Sequence, residues 1–259
     1  MFESIKKEFS VRTLVLIPIA IAINIAIGQL VYILKLPVYL DSIGTVLVGA
    51  LAGPWAGALT GALANLLWGI LPVVANPYSV PFFYVAAVIG LMAGVAGRWG
   101  AFEKESPRWL SVLVGAVFFF TLAFFILAFT HASTDATGFT SYPSAANLLS
   151  NYVIVFVLAI FIGAVIGYFL LQKGGYAGIA GLATGVVAAI ISAPTAAFVF
   201  GGVTGAGTDL LVAAFRASGG SILASVMAQG SVSDPFDKML SYMVVWLILR
   251  SLPLRFRAH

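Results

Sequence analysis

The residues whose types could do chemistry are few, and their chemistry is binding rather than bond-making. Asn65 interrupts an apolar run, Trp68 follows about one helical turn later, and Asn76, Tyr78 and Tyr84 come in or beside a short polar loop. Amides supply donors and acceptors and aromatic rings supply stacking faces, a combination suited to a neutral heterocycle. An aromatic belt at a membrane–water boundary would use the same rings. Four carboxylates, Asp41, Asp209, Asp234 and Asp237, lie beside apolar segments, where an ionised group is costly unless solvated or paired. Asp41 and Asp209 sit where helices would start, so capping is one reading. Asp237 and Lys238 in SDPFDKM would likewise anchor a final span. A ligand or charge-pair role is the other reading for these groups. Asn24, inside the first apolar run, needs a partner and is expected to hydrogen-bond across to another helix.

Bond-making chemistry has no support. The sequence has no P-loop, no glycine fingerprint opening a helix after a strand, and no HExxH. His131 and His259 are too few and too far apart in sequence to argue for a metal cluster, and there is no cysteine. No catalytic residue, metal or cofactor is expected. Active transport would need an ion gradient or a partner.

The elements that must position these residues are set by composition. The chain has 259 residues, 61% hydrophobic and 8% charged, with a mean hydropathy of +1.09. A soluble domain carries about 25% charged residues, and that demand falls away only where lipid replaces water. An all-α polytopic membrane protein, in one domain over residues 1–259, is the expected fold. The formal charge of +4 sits at segment ends rather than on one basic face, which argues against nucleic-acid binding.

Apolar spans are expected at about 12–34, 42–52, 55–71, 81–97, 110–130, 149–171, 176–199 and 239–252, the first retained rather than cleaved. Gly53-Pro54 divides one long run into a helical hairpin, because proline lacks an N–H and its predecessor resists the helical region. With the hairpin counted as two passes, Lys6, Lys7, Arg12, Arg98, Lys104, Arg108 and Lys173 all fall on one side, the cytoplasmic one. The final span would bring Arg250, Arg255 and Arg257 there too. Around Gly219-Gly220, two short arms would carry Arg216 to that side and back, a loose repeat of residues 12–98 within 174–253. Small residues four apart (Gly53/Gly57/Gly61, Gly90/Gly94, Gly163/Gly167, Gly181/Gly185) are expected to pack the protein's own helices together. For Ala22/Ala26, docking to a separate membrane partner competes with that reading.

YLDSIGTVLVGALAGPWAGALTGALANLLWG and NPYSVPFFYVAAVIGLMAGVAGR, with GGVTGAGTDLL and SDPFDKMLSYMVVWLILRSLP further on, resemble the substrate-specific (S) component of energy-coupling factor transporters. They also resemble the related membrane domain found before some bacterial sensor kinases. The resemblance covers most of residues 12–253 and is strongest over Asp41–Gly61. It implies a compact bundle that captures a vitamin or related small nutrient and works with a transmembrane coupling protein and two ATPase subunits. It also implies a bacterial or archaeal cell membrane, with both termini cytoplasmic. Alanines four apart on the first helix would meet the coupling protein, here Ala22 and Ala26. The implied pocket stretches, 72–84, 131–152 and 201–209, add Asn147, Asn151, Thr204 and Asp209 to the binding candidates. Eight passes plus two half-passes exceed the family's usual six. A membrane sensory subunit without enzymatic activity, or a membrane assembly factor, are the alternatives.

Overall fold

The computed structural model describes residues 2–72, 74–134, 140–141, 143–171, 173–217 and 219–251. The expected positions of Arg255, Arg257, His259 and the end of the final span at 252 lie outside them. Among the described residues eleven α-helices run in order: α1 (Phe2–Glu8), α2 (Val11–Ile33), α3 (Ile43–Ala52), α4 (Pro54–Ile70), α5 (Phe83–Trp99), α6 (Arg108–Thr130), α7 (Ala145–Asn151), α8 (Val153–Phe169), α9 (Gly175–Phe198), α10 (Asp209–Ala217) and α11 (Ile222–Ser251). A 3-10 helix, Pro77–Phe82, leads into α5. A two-residue ribbon pairs β1 (Ser133–Thr134) with β2 (Thr140–Ser141) between α6 and α7. Among the described residues, four helical segments are long and apolar enough to cross a membrane: α2, the 3-10 helix with α5, α6 and α9. The protein is an all-α, multi-pass membrane helix bundle.

Gly53 and Pro54 form the expected break. Gly53 takes φ +121°, a value costly for any side chain, and a Cβ there would strike the Glu8 carboxylate. Pro54 opens α4 at a position where no N–H is needed. Glu8 completes the turn. Its Oε2 accepts from the backbone N–H groups of Trp55 (2.8 Å) and Ala56 (3.0 Å), and its Oε1 pairs with Arg98. The end of α1, the hairpin turn and the end of α5 therefore share one end of the bundle. The Glu105–Lys173 ion pair and the hydrogen bond from Gly175 N–H to Ser106 Oγ (3.1 Å) bring the 98–108 loop and the start of α9 together. The Lys173 ammonium beside Glu105 holds that exposed carboxyl below the usual carboxylate range.

The glycine pairs pack the bundle from within. A Cβ on Gly57 or Gly90 would enter the other's backbone between α4 and α5, and one on Gly185 would enter Pro235 and Asp234 of α11. Asn24 bonds to α3 as expected: its amide donates to Thr45 Oγ1 (2.8 Å) and its carbonyl oxygen accepts from Gly44 N–H (2.7 Å).

Two expectations are corrected. Residues 222–251 form one helix of 30 residues, so the final span does not begin at 239 and SDPFDKM is no loop. Pro235 is accommodated inside α11 because Gly185 leaves room beside it. Nor does Arg216 cross the bundle. Val212 of α10 and Val226 of α11 cluster with Ala193 and Ala197 at the far end of α9, and Ile222 lies beside Gly202. The Gly219-Gly220 turn stays at the end opposite Glu8.

Candidate functional site: a cavity above a short helix

The ten residues of α3 span about 15 Å at 1.5 Å per residue, half the roughly 30 Å hydrocarbon thickness. Its neighbours α2, α4, α5 and α11 enclose it, and Ile43–Ala50 are buried throughout. Since α3 ends at the Glu8 end, its N-terminus starts partway through the bundle, and the chain after α2 must dip inward to reach it. A cavity of about 130 Å³ lies above that start. Its wall comes from the ends of α2, α4 and α9, the 3-10 helix, the start of α5, the 201–209 loop, α10 and the first half of α11.

The dipping segment is held by α11. Asp237 Oδ1 accepts from the N–H groups of Tyr39 (3.0 Å) and Leu40 (2.7 Å). Lys238, 3% exposed, donates to Ser42 Oγ (2.7 Å) and Asp237 Oδ2 (2.5 Å) and faces Asp41 at 3.4 Å. A buried ammonium with three acceptors is satisfied, and it answers the cost of placing these charges away from water. Asp41 thus belongs to a charge pair and does not cap α3, whose N-cap is Ser42 without a side-chain bond. Asp237 and Lys238 anchor the 34–42 segment from mid-helix, not the end of a span.

Over the mouth, the 34–42 and 201–209 segments meet. Lys35 Nζ donates to Gly205 O, and Tyr39 Oη lies 3.0 Å from Thr208 Oγ1. Asp209 accepts from Thr204 N–H (2.8 Å), Thr204 Oγ1 (2.7 Å) and Gly205 N–H (2.6 Å), fixing the loop before α10.

Of the residues singled out from sequence, Asn65, Trp68, Asn76, Tyr78, Thr204 and Asp209 line this cavity together. Trp68 is 6% exposed, with its indole N–H donating to Gln29 Oε1 (2.9 Å) across to α2; it lies within the bundle rather than in an exposed belt. The Asn65 amide donates to Ser79 O at 3.3 Å. Asn76 Oδ1 is buried without a hydrogen-bond partner among the described residues. Tyr78 stands at the rim beside Phe200. Three residues lie elsewhere. Tyr84 Oη bonds Ile191 O (2.9 Å) and Thr195 Oγ1 (2.6 Å), locking α5 to α9. Asn147 and Asn151 are exposed on α7, away from the lining.

Tyr32, Tyr39, Gln229 and Lys238 line the cavity and were not among the binding candidates, and Asp41 and Asp234, for which a ligand role was one of two readings, line it as well. The carboxylates beside apolar runs were visible in the sequence; their convergence was not, because Asp41 and Lys238 are 197 residues apart. Among the described residues no group of His, Cys, Asp and Glu is arranged to hold a metal ion. The lining carries rings, amides and charges, which is equipment for holding a small molecule.

Comparison with protein-family models, curated proteins and solved structures finds no match to this chain. The fold and cavity define a class, the multi-pass all-α membrane bundle.

Proposed function

We propose that this chain is the small-molecule-capturing membrane subunit of an uptake system of the energy-coupling factor type, serving a vitamin-like nutrient. The observation that supports the reading most is the cavity above α3, where six residues singled out as binding candidates converge. The sequence resemblance adds the partners, a coupling protein and two ATPases. Ala22 and Ala26 belong to the exposed face of α2, along with Pro18, Leu30 and Ile33. Small side chains there leave room for a second helix to approach closely. On this reading the Glu8 end faces the cytoplasm and the cavity opens outward.

The test is affinity purification from native membranes. An ATPase pair and a coupling protein should copurify with the wild type. They should be lost from the double variant Ala22→Leu/Ala26→Leu, which keeps its thermal stability because both positions are exposed in the isolated chain. Unchanged complex formation removes this contact, and joint loss of stability and assembly assigns the alanines to internal packing. A signalling protein in place of the ATPases supports the sensory alternative instead.

A further inference from the structure

The charges around the cavity do not balance. Asp41, Asp209 and Asp234 line it against one lining ammonium, Lys238, with Lys35 over the mouth bonded to Gly205. Lys238 is committed to Ser42, Asp237 and Asp41, and the Asp209 carboxylate is taken up by Thr204 and Gly205. Asp234 is different. It is 6% exposed, accepts one hydroxyl hydrogen bond from Ser233 (3.2 Å), and has no ion pair among the described residues. A carboxylate in the interior of a membrane bundle normally has a cationic partner or a functional reason to lack one. Asn76 supplies an unsatisfied acceptor in the same lining, its Oδ1 buried with no donor among the described residues. A carboxylate without an ion pair and an amide oxygen without a donor call for a ligand that brings N–H groups and positive charge.

The rest of the wall agrees. Trp68, Tyr78 and Phe82 bring aromatic rings to the lining, and the electron-rich face of such rings attracts a desolvated cation, as the Tyr32 and Tyr39 rings already do for Lys35 (4.4 Å) and Lys238 (5.9 Å). The volume of about 130 Å³ compares with the roughly 150 Å³ cavity known to admit a benzene ring. We propose that the cavity selects a small, planar organic cation of about one ring, with Asp234 as its counter-ion and Asn76 as a second acceptor. This rests on the small-molecule reading above and narrows it, away from the neutral heterocycle that the amides and aromatics alone suggested.

Benzamidinium and benzamide are matched in size and shape, and differ in charge and in one nitrogen donor replaced by oxygen. Calorimetric titration of the full chain in lipid nanodiscs should show benzamidinium binding and benzamide at least about tenfold weaker, the scale of a hydrogen bond to a charged group. Asp234→Asn should remove most of that preference while leaving benzamide unchanged. Equal binding of the two probes by the wild type, or binding of neither at millimolar concentration, overturns the proposal. So does an unchanged preference in Asp234→Asn. The wild-type comparison stands even if the variant does not fold. A wild type that retains a neutral small molecule through purification but discriminates against benzamidinium keeps the capture reading and loses this one.

Discussion

Glu8 shows how one buried carboxylate settles local structure. α4 begins at Gly53-Pro54, which offers no capping side chain, and Glu8 supplies the missing acceptor from 47 residues away. Arg98 is half-exposed, so its ion pair with Glu8 is screened and contributes little. The larger share comes from the N–H groups of Trp55 and Ala56, which Glu8→Ala would leave without an acceptor. That variant should lose about 1–3 kcal/mol of stability, read as a fall in the thermal unfolding midpoint, whereas Arg98→Ala should change it much less. Equal effects of the two variants would mean that the ion pair, not the cap, holds the turn. At the cavity the same scale of reasoning separates Lys238, whose ammonium meets Ser42, Asp237 and Asp41, from Asp234, which has no ion pair among the described residues.

Among the elements, the short α3 and the long α11 determine the site together. α3 leaves the space above it, and Asp237 and Lys238 of α11 hold the segment that dips to reach α3. The topology has a direct consequence for labelling, helped by the absence of cysteine. Lys104 and Arg216 are both exposed and lie at opposite ends of the bundle. Lys104→Cys and Arg216→Cys should therefore react with an impermeant thiol reagent from opposite sides of the membrane, and labelling of both from one side would contradict the fold. Ser106 is unsuitable for the same purpose, being buried with its hydroxyl bonded to Gly175 N–H and Ser111 Oγ. Most of the helices were legible because apolar runs and Gly53-Pro54 are local signals. The unity of α11 was not. The final span was expected to begin only at 239, after SDPFDKM, and the partners of that stretch, Gly185 and the 34–42 segment, lie far off in sequence. The candidate site was legible in part for the same reason. Asn65 and Trp68 share a helix face with the loop that follows, whereas Asn147 and Asn151 were assigned through a stretch that the fold places on α7.

For the whole molecule, the account is a bundle fastened at the Glu8 end and hollow at the other. Glycine contacts close α4 on α5, α6 on α8 and α9 on α11, and the buried charges Asp234, Asp237 and Lys238 lie toward the cavity while Glu8 lies at the fastened end. The central claim is that this hollow holds a small molecule. Native mass spectrometry of the detergent-solubilised wild type beside Trp68→Ala tests it most directly, because Trp68 lines the cavity and bridges α4 to Gln29 of α2. The account predicts a discrete non-lipid mass on the wild type that is lost or sharply reduced in the folded variant. No such mass on the wild type, or equal occupancy in both proteins, would contradict it.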